Sequence, residues 1–200
     1  MSDAALRLSG IACARGGRLL FRGVDLALGR GGSALLRGPN GVGKSSLMRI
    51  CAGLLRPVAG TIERRGRIAL ADERLALDME DRLQTALGFW ARLDGADKAA
   101  LDRAMDAMAL GPIRDIPVRM LSTGQRKRAS LARVIAGGAP IWLLDEPGNG
   151  LDDASLALLG AAVEAHLATG GIVVAASHQP LPVAAPVTIA LADYLAEDAG

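Results

Sequence analysis

The sequence predicts an α/β fold: a parallel sheet flanked by helices, with a β-rich start and a block of helices inserted midway. Three observations carry this. The apolar run Ala34-Leu35-Leu36 leads into a glycine-rich turn and then a helical pattern. Two strand-length apolar runs, Ile141–Asp145 and Ile172–Ala176, flank a helical stretch, which is the order that parallel pairing requires. Between them and the first unit, residues 74–136 keep a mostly helical spacing of apolar side chains.

The elements follow in order. Residues 5–13, Arg18–Leu28 and Ser33–Arg37 are short apolar runs broken by glycine turns and read as strands. A helix begins near Lys44, with Leu47, Ile50, Cys51 and Leu54 on one face, and ends between Gly53 and Pro57. Residues 61–63 and 67–71 are two more strands. Helices are expected at Leu83–Leu93, 98–109 and 124–136. After Ile141–Asp145 come a helix at 155–168, the strand Ile172–Ala176 and a last strand at 187–191. The expected organisation is one domain over 1–200, with its core in 1–73 and 137–200 and a helical insert at 74–136.

Composition narrows the class. Half of the 200 residues are hydrophobic, enough for a sizeable core. Basic and acidic residues number 23 and 21, a formal charge of +2, which argues against a nucleic-acid partner. The clusters Arg64-Arg65-Gly66-Arg67 and Arg126-Lys127-Arg128 read as solvated faces. Cys13 and Cys51 lie too far apart in sequence for a metal-binding spacing, and Cys51 reads as a core thiol. No apolar run approaches the roughly 20 residues that span a bilayer, and the first residues lack a signal-peptide pattern. A soluble or peripheral cytoplasmic protein is expected.

The chemistry-bearing stretch is Gly38-Pro39-Asn40-Gly41-Val42-Gly43-Lys44-Ser45, a G-x-x-x-x-G-K-[ST] loop between a strand and a helix, with Ser46 following. Its glycines let successive N–H groups aim inward at phosphate oxygens. Lys44 would reach the β- and γ-phosphates, and Ser45 would offer its hydroxyl to Mg²⁺. The strand Ile141–Asp145 ends in Asp145-Glu146, where open α/β sheets place their ligands. Asp145 is positioned to hold Mg²⁺, and Glu146 to polarise an attacking water. A second anion-binding turn, Leu121-Ser122-Thr123-Gly124-Gln125, opens a basic helix pattern.

With these pieces the chain resembles a nucleotide-binding subunit of the ATP-binding cassette family, over nearly its whole length. The resemblance implies a P-loop NTPase fold of the ABC type: a RecA-like mixed-sheet core, an antiparallel β part and a helical subdomain. It implies ATP and Mg²⁺, and a head-to-tail dimer with a second ATP-binding subunit. There Ser122, Gly124 and Gln125 close over the γ-phosphate held by the other copy. That division of labour is physically sound, because charge spread over three oxygens needs donors on several sides. Asp152, in Gly148-Asn149-Gly150-Leu151-Asp152, matches the aspartate of the D-loop, and His178 matches the switch histidine beside Glu146. His166 has no such context and reads as a helix-surface residue. Two positions depart from the family: Asp72-Glu73-Arg74 stands where a glutamine belongs, and no aromatic residue lies near Ala14-Arg15 to stack on adenine. Arg15 would stack its guanidinium plane there instead.

Within the family, the stretches ALGFWARLDG, LSTGQRKRASLARV and SHQPL resemble the branch that serves haem export in cytochrome c maturation. That implies integral membrane subunits and a haem-handling chaperone system as partners, at the cytoplasmic face of the inner membrane. Another small ABC exporter, or a non-transport ABC ATPase, is the alternative. A P-loop kinase or GTPase is the rival class, and neither needs the LSTGQ turn. Phe89-Trp90 reads either as packing within the insert or as part of a groove for a membrane subunit's helix.

Overall fold

The computed structural model describes residues 3–72, 76–178, 181, 183 and 186–195. Eight strands and five α-helices run in the order β1 (Ala5–Arg15), β2 (Arg18–Leu28), β3 (Ser33–Arg37), α1 (Lys44–Ala52), β4 (Ala59–Arg65), β5 (Ile68–Ala71), α2 (Leu83–Leu93), α3 (Lys98–Ala107), α4 (Thr123–Gly137), β6 (Ile141–Asp145), α5 (Asp153–Ala168), β7 (Ile172–Ala176) and β8 (Val187–Ala190). They form an antiparallel sheet, β2-β1-β4, and a parallel sheet, β5-β6-β7-β3-β8. The chain leaves the parallel sheet after β5, builds α2 to α4, and returns at β6.

Strand periodicity assigns the two faces of the parallel sheet. Ile141 and Leu143, Ile172 and Val174, and Ala34 and Leu36 join one apolar core with α1 and the antiparallel sheet. The alternate residues Trp142, Leu144, Val173, Ala175 and Leu35 join a second core with α2 to α5. The phosphate-loop helix is thereby sandwiched between the two sheets. Burying a side chain such as Phe21 there stabilises the fold by about 1.5–3 kcal/mol. Cys51 is a buried thiol, as expected, and burial pushes its pKa up to about 12.

Three expectations need correction. First, α1 stops at Ala52 because Gly53 adopts φ 78°, so Leu54 leaves the helical face and is 69% exposed.

Second, the basic clusters do more than face solvent: Arg64, Arg65 and Arg67 are exposed as expected, yet cluster arginines also bond helix ends. Arg64 donates to the Ile50 and Cys51 carbonyls at the end of α1. Arg67 donates to Asp94 at the end of α2 and to Gly137 at the end of α4. Arg128 donates to Met108 and Ala109 after α3, and outside the clusters Arg30 reaches Thr169 after α5. Among the described residues, all five α-helices therefore end on a guanidinium. Its planar fork bonds two carbonyls at once, and its charge suits the negative helix end.

Third, His166 is half-buried rather than a free helix-surface residue. Its ring stacks on Trp142 with centroids 3.8 Å apart at 12°. Gly171 makes room for it, since a Cβ there would stand 2.2 Å from Nε2.

Burial lowers the pKa of His166. The folded chain therefore binds this proton less readily than the unfolded one, whose histidine titrates near 6.5. The contribution is complete above about pH 6.5 and falls away as pH drops from there toward the depressed value. Urea midpoints should decline as pH falls below about 7, and His166→Phe should flatten that decline. An unchanged pH profile in the variant would assign the decline to other groups.

Candidate nucleotide site

The loop between β3 and α1 has its glycines in conformations closed to other residues. Gly38 has φ 143° and Gly43 φ 112°. A Cβ on Gly38 would come within 2.9 Å of Val42, and one on Gly43 within 2.8 Å of the Phe21 ring. The fully buried Phe21 thus backs the turn that opens α1. No side chain caps α1, so no cap occupies its first-turn N–H groups, an arrangement that suits an anion. Lys44 is 6% exposed, and its Nζ donates to the carbonyls of Gly38 (2.8 Å) and Pro39 (3.3 Å).

The acidic pair sits across from it. Asp145 continues the alternation of Ile141 and Leu143, toward the α1 face of the sheet. Glu146 then breaks the strand with φ 45°, a left-handed conformation that is uncommon outside glycine. Its N–H donates to the Ala176 carbonyl at 2.8 Å, and its own carbonyl accepts from Asn149 N–H at 3.2 Å. The turned side chain places Oε1 3.6 Å from Lys44 Nζ and Oε2 3.0 Å from His178 Nδ1. Glu146 is 9% exposed, so this ion pair acts with little solvent screening. Contacts therefore unite Gly38, Pro39, Lys44, Glu146 and His178 in one cluster. Pro39, Asn40, Gly41 and Ser45 form the exposed rim of the loop, while Val42 is buried.

The LSTGQ turn forms a second corner, and no contact among the described residues joins it to Lys44. Ser122 Oγ accepts from Gln125 N–H, and Gln125 Oε1 accepts from Ser122 N–H, a complete capping box. The amides of Thr123 and Gly124, between them, remain for an anion. Gly124 lies against the next turn: a Cβ there would stand 3.1 Å from the Gly150 carbonyl. Asp152 caps α5 by accepting from Ser155 N–H at 2.8 Å, and hydrogen bonds from Ser155, its side-chain hydroxyl first and this N–H second, hold its carboxyl below the usual range. Arg15 is exposed at the β1–β2 hairpin, opposite Arg18.

A 330 Å³ cavity lies between the two corners and is lined by Asp72, Lys127, Glu146 and Asn149 among others. Glu73 and Arg74, which complete the glutamine-free stretch, lie outside the described residues, as do Gln179 and Pro180 of the SHQPL stretch. Sequence reasoning missed Phe21, for which residue spacing offers no signal, and Lys127, which it merged into a charge run.

The ABC transporter family matches residues 21–149, well over half of the chain. The chain belongs to the ABC transporter family. It is 61% identical over 178 residues to the cytochrome c biogenesis ATP-binding export protein CcmA of Sphingopyxis alaskensis, covering 89% of this chain and 92% of that protein. It is 54% identical to the protein of the same name from Novosphingobium aromaticivorans, covering 97% and 99%. Among solved structures it is similar to an inward-facing metal-chelate type ABC transporter, at 25% identity and a TM-score of 0.80 over 94% of this chain and 80% of that one. An ABC transporter ATP-binding protein from Pyrococcus furiosus shares the fold, with a TM-score of 0.84 at 22% identity, covering 96% of this chain and all of that one. As a member of this family the chain is an ATP-binding, ATP-hydrolysing subunit with the mixed-sheet ABC fold. No helix among the described residues is long and apolar enough to cross a membrane.

Proposed function

We propose that the chain is the ATPase subunit of the cytochrome c biogenesis export complex. ATP hydrolysis would be coupled to haem export or to release of the haem-loaded chaperone. The observation that supports this best is the Lys44–Glu146–His178 cluster beneath a phosphate loop, its lysine and glutamate buried and its histidine open to solvent, in a chain 61% identical to a protein of that name. We read it as one ATPase domain with residues 74–136 as its helical insert.

The chain's own residues carry the chemistry. The loop amides and Lys44 bind the triphosphate, and Lys44 moves from the Pro39 carbonyl and Glu146 to phosphate oxygens. The hydroxyl of Ser45 and the carboxylate of Asp145 are hard oxygen donors of the kind Mg²⁺ takes, with water and phosphate completing its shell. A bound Mg²⁺ would supply charge neutralisation to the phosphates. Glu146, freed from Lys44, orients the attacking water and accepts its proton, and His178 keeps the carboxylate aimed. Arg15 lies at the edge where the base would stack. The turn with Ser122, Gly124 and Gln125, next to Asp152, closes the site of a second copy related by a two-fold axis.

Membrane subunits would dock on the groove lined by Leu54, Ile68, Trp90 and Arg133, a 620 Å³ space beside the edge strand β5. Arg133 sits 4.8 Å from the Trp90 ring, and Phe89 beside it is 54% exposed. Such attachment places the chain at the cytoplasmic face of the inner membrane. Trp90→Ala should keep ATP binding within about two-fold yet lose co-purification with membrane subunits, because truncating a buried aromatic anchor removes about 2 kcal/mol or more of binding. Cells lacking the chain should fail to assemble c-type cytochromes, be rescued by the wild-type gene, and not be rescued by Glu146→Gln. Normal cytochrome assembly without the chain would defeat the proposal.

A further inference from the structure

Lys127 is one of three lysines in the chain and stands one turn into α4, just beyond the Ser122 cap. Its Nζ donates to the backbone carbonyl of Asp145 at 3.3 Å, across 18 residues of sequence, and it lines the cavity that Glu146 enters. That carbonyl belongs to the peptide leading into Glu146, whose φ of 45° only local contacts can hold. The Ala176 carbonyl fixes the N–H of Glu146 and Asn149 fixes its carbonyl, so Lys127 is a third restraint on the same two-residue turn. This third restraint comes from the insert helix rather than from the sheet.

We infer that Lys127 is a positioning residue that sets the backbone of Glu146 from α4, tying the LSTGQ corner of each chain to that chain's own hydrolytic carboxylate. The inference rests on the proposed reading, in which the corner contacts the partner's nucleotide. When that nucleotide draws on the amides of Thr123 and Gly124, α4 shifts as a rigid body. Lys127 then carries the shift to the Asp145–Glu146 peptide. The close approach of the two backbones, which leaves no room for a Cβ on Gly124 without strain against the Gly150 carbonyl, keeps the same helix end beside the turn that follows Glu146. The two sites of the dimer are thus linked within each chain by one side chain.

The test is a double-variant cycle in the full complex, reading kcat and KM for ATP. Lys127→Met preserves length and loses the donor; Lys127→Arg keeps a cationic donor and should restore most of the rate. Lys127→Met is expected to lower kcat by roughly 10- to 100-fold, since small misplacement of a reacting group has that effect, with KM within about two-fold. In a Glu146→Gln background the same change should alter the residual rate by less than about two-fold, because the group that Lys127 positions is already gone. An unchanged kcat in Lys127→Met, or an equal loss in both backgrounds, would overturn the inference. Cross-linking Ser122→Cys to Asn40→Cys between copies with ATP present separately tests the shared-site reading: failure there removes the dimer argument, while the cycle still decides whether Lys127 acts through Glu146.

Discussion

Lys44→Ala is expected to lower affinity for ATP and ADP by about 100-fold or more in isothermal titration. Lys44 is a buried cation whose donors already point into the loop, toward the Gly38 and Pro39 carbonyls. A charge-assisted bond to a phosphate, partly shielded from water, contributes about 1.5–3 kcal/mol, and in the proposed reading Lys44 would reach two phosphates. Each 1.4 kcal/mol is a factor of about ten in affinity. The substitution also leaves Glu146 buried with its 3.6 Å cation removed, so the nucleotide-free variant should unfold at lower urea concentration than wild type. Binding within about three-fold of wild type would remove Lys44, and with it the loop, from nucleotide recognition.

Glu146→Gln should bind ATP and hydrolyse it at least about 100-fold more slowly, because loss of a general base removes that factor. The amide is nearly isosteric and keeps a hydrogen-bonding atom within reach of His178, so the fold and cradle persist. Affinity should hold or rise, because the carboxylate no longer competes with phosphate for Lys44. Trapped before hydrolysis, the variant should run as an ATP-dependent dimer in size-exclusion chromatography and as a monomer with ADP. Normal turnover would take the catalytic role away from Glu146.

Much of this was legible in the chain. The span from Ser33 to Ala52 announced strand, loop and helix because hydrophobic periodicity changes from two to 3.6 on either side of fixed glycines. The run Ile141–Asp145 announced its own depth, since every residue in it is apolar up to the carboxylate, and every one is buried. What stayed hidden depends on partners distant in sequence. Glutamine three residues after Ser122 was a readable capping-box spacing, yet the turn was assigned wholly to ligand contact. The arginines at helix ends gave no local sign, because their acceptors are backbone carbonyls up to 139 residues away. His166 looked like a surface position because α5 is apolar nearly all round, and a helix of that kind does not reveal which side faces Trp142.

The use of guanidinium groups at the C-terminal end of each described α-helix bears on how the chain behaves near a lipid surface. The formal surplus is only two positive charges, and arginines such as Arg64, Arg67 and Arg128 already bond helix-end carbonyls. Attraction to acidic headgroups grows with unengaged cations close to the bilayer, by about 1 kcal/mol for each. A body built this way has little electrostatic reason to settle on lipid. Its residence at a bilayer would be set by the abundance of the polypeptide it docks on, indifferent to headgroup composition and to moderate salt.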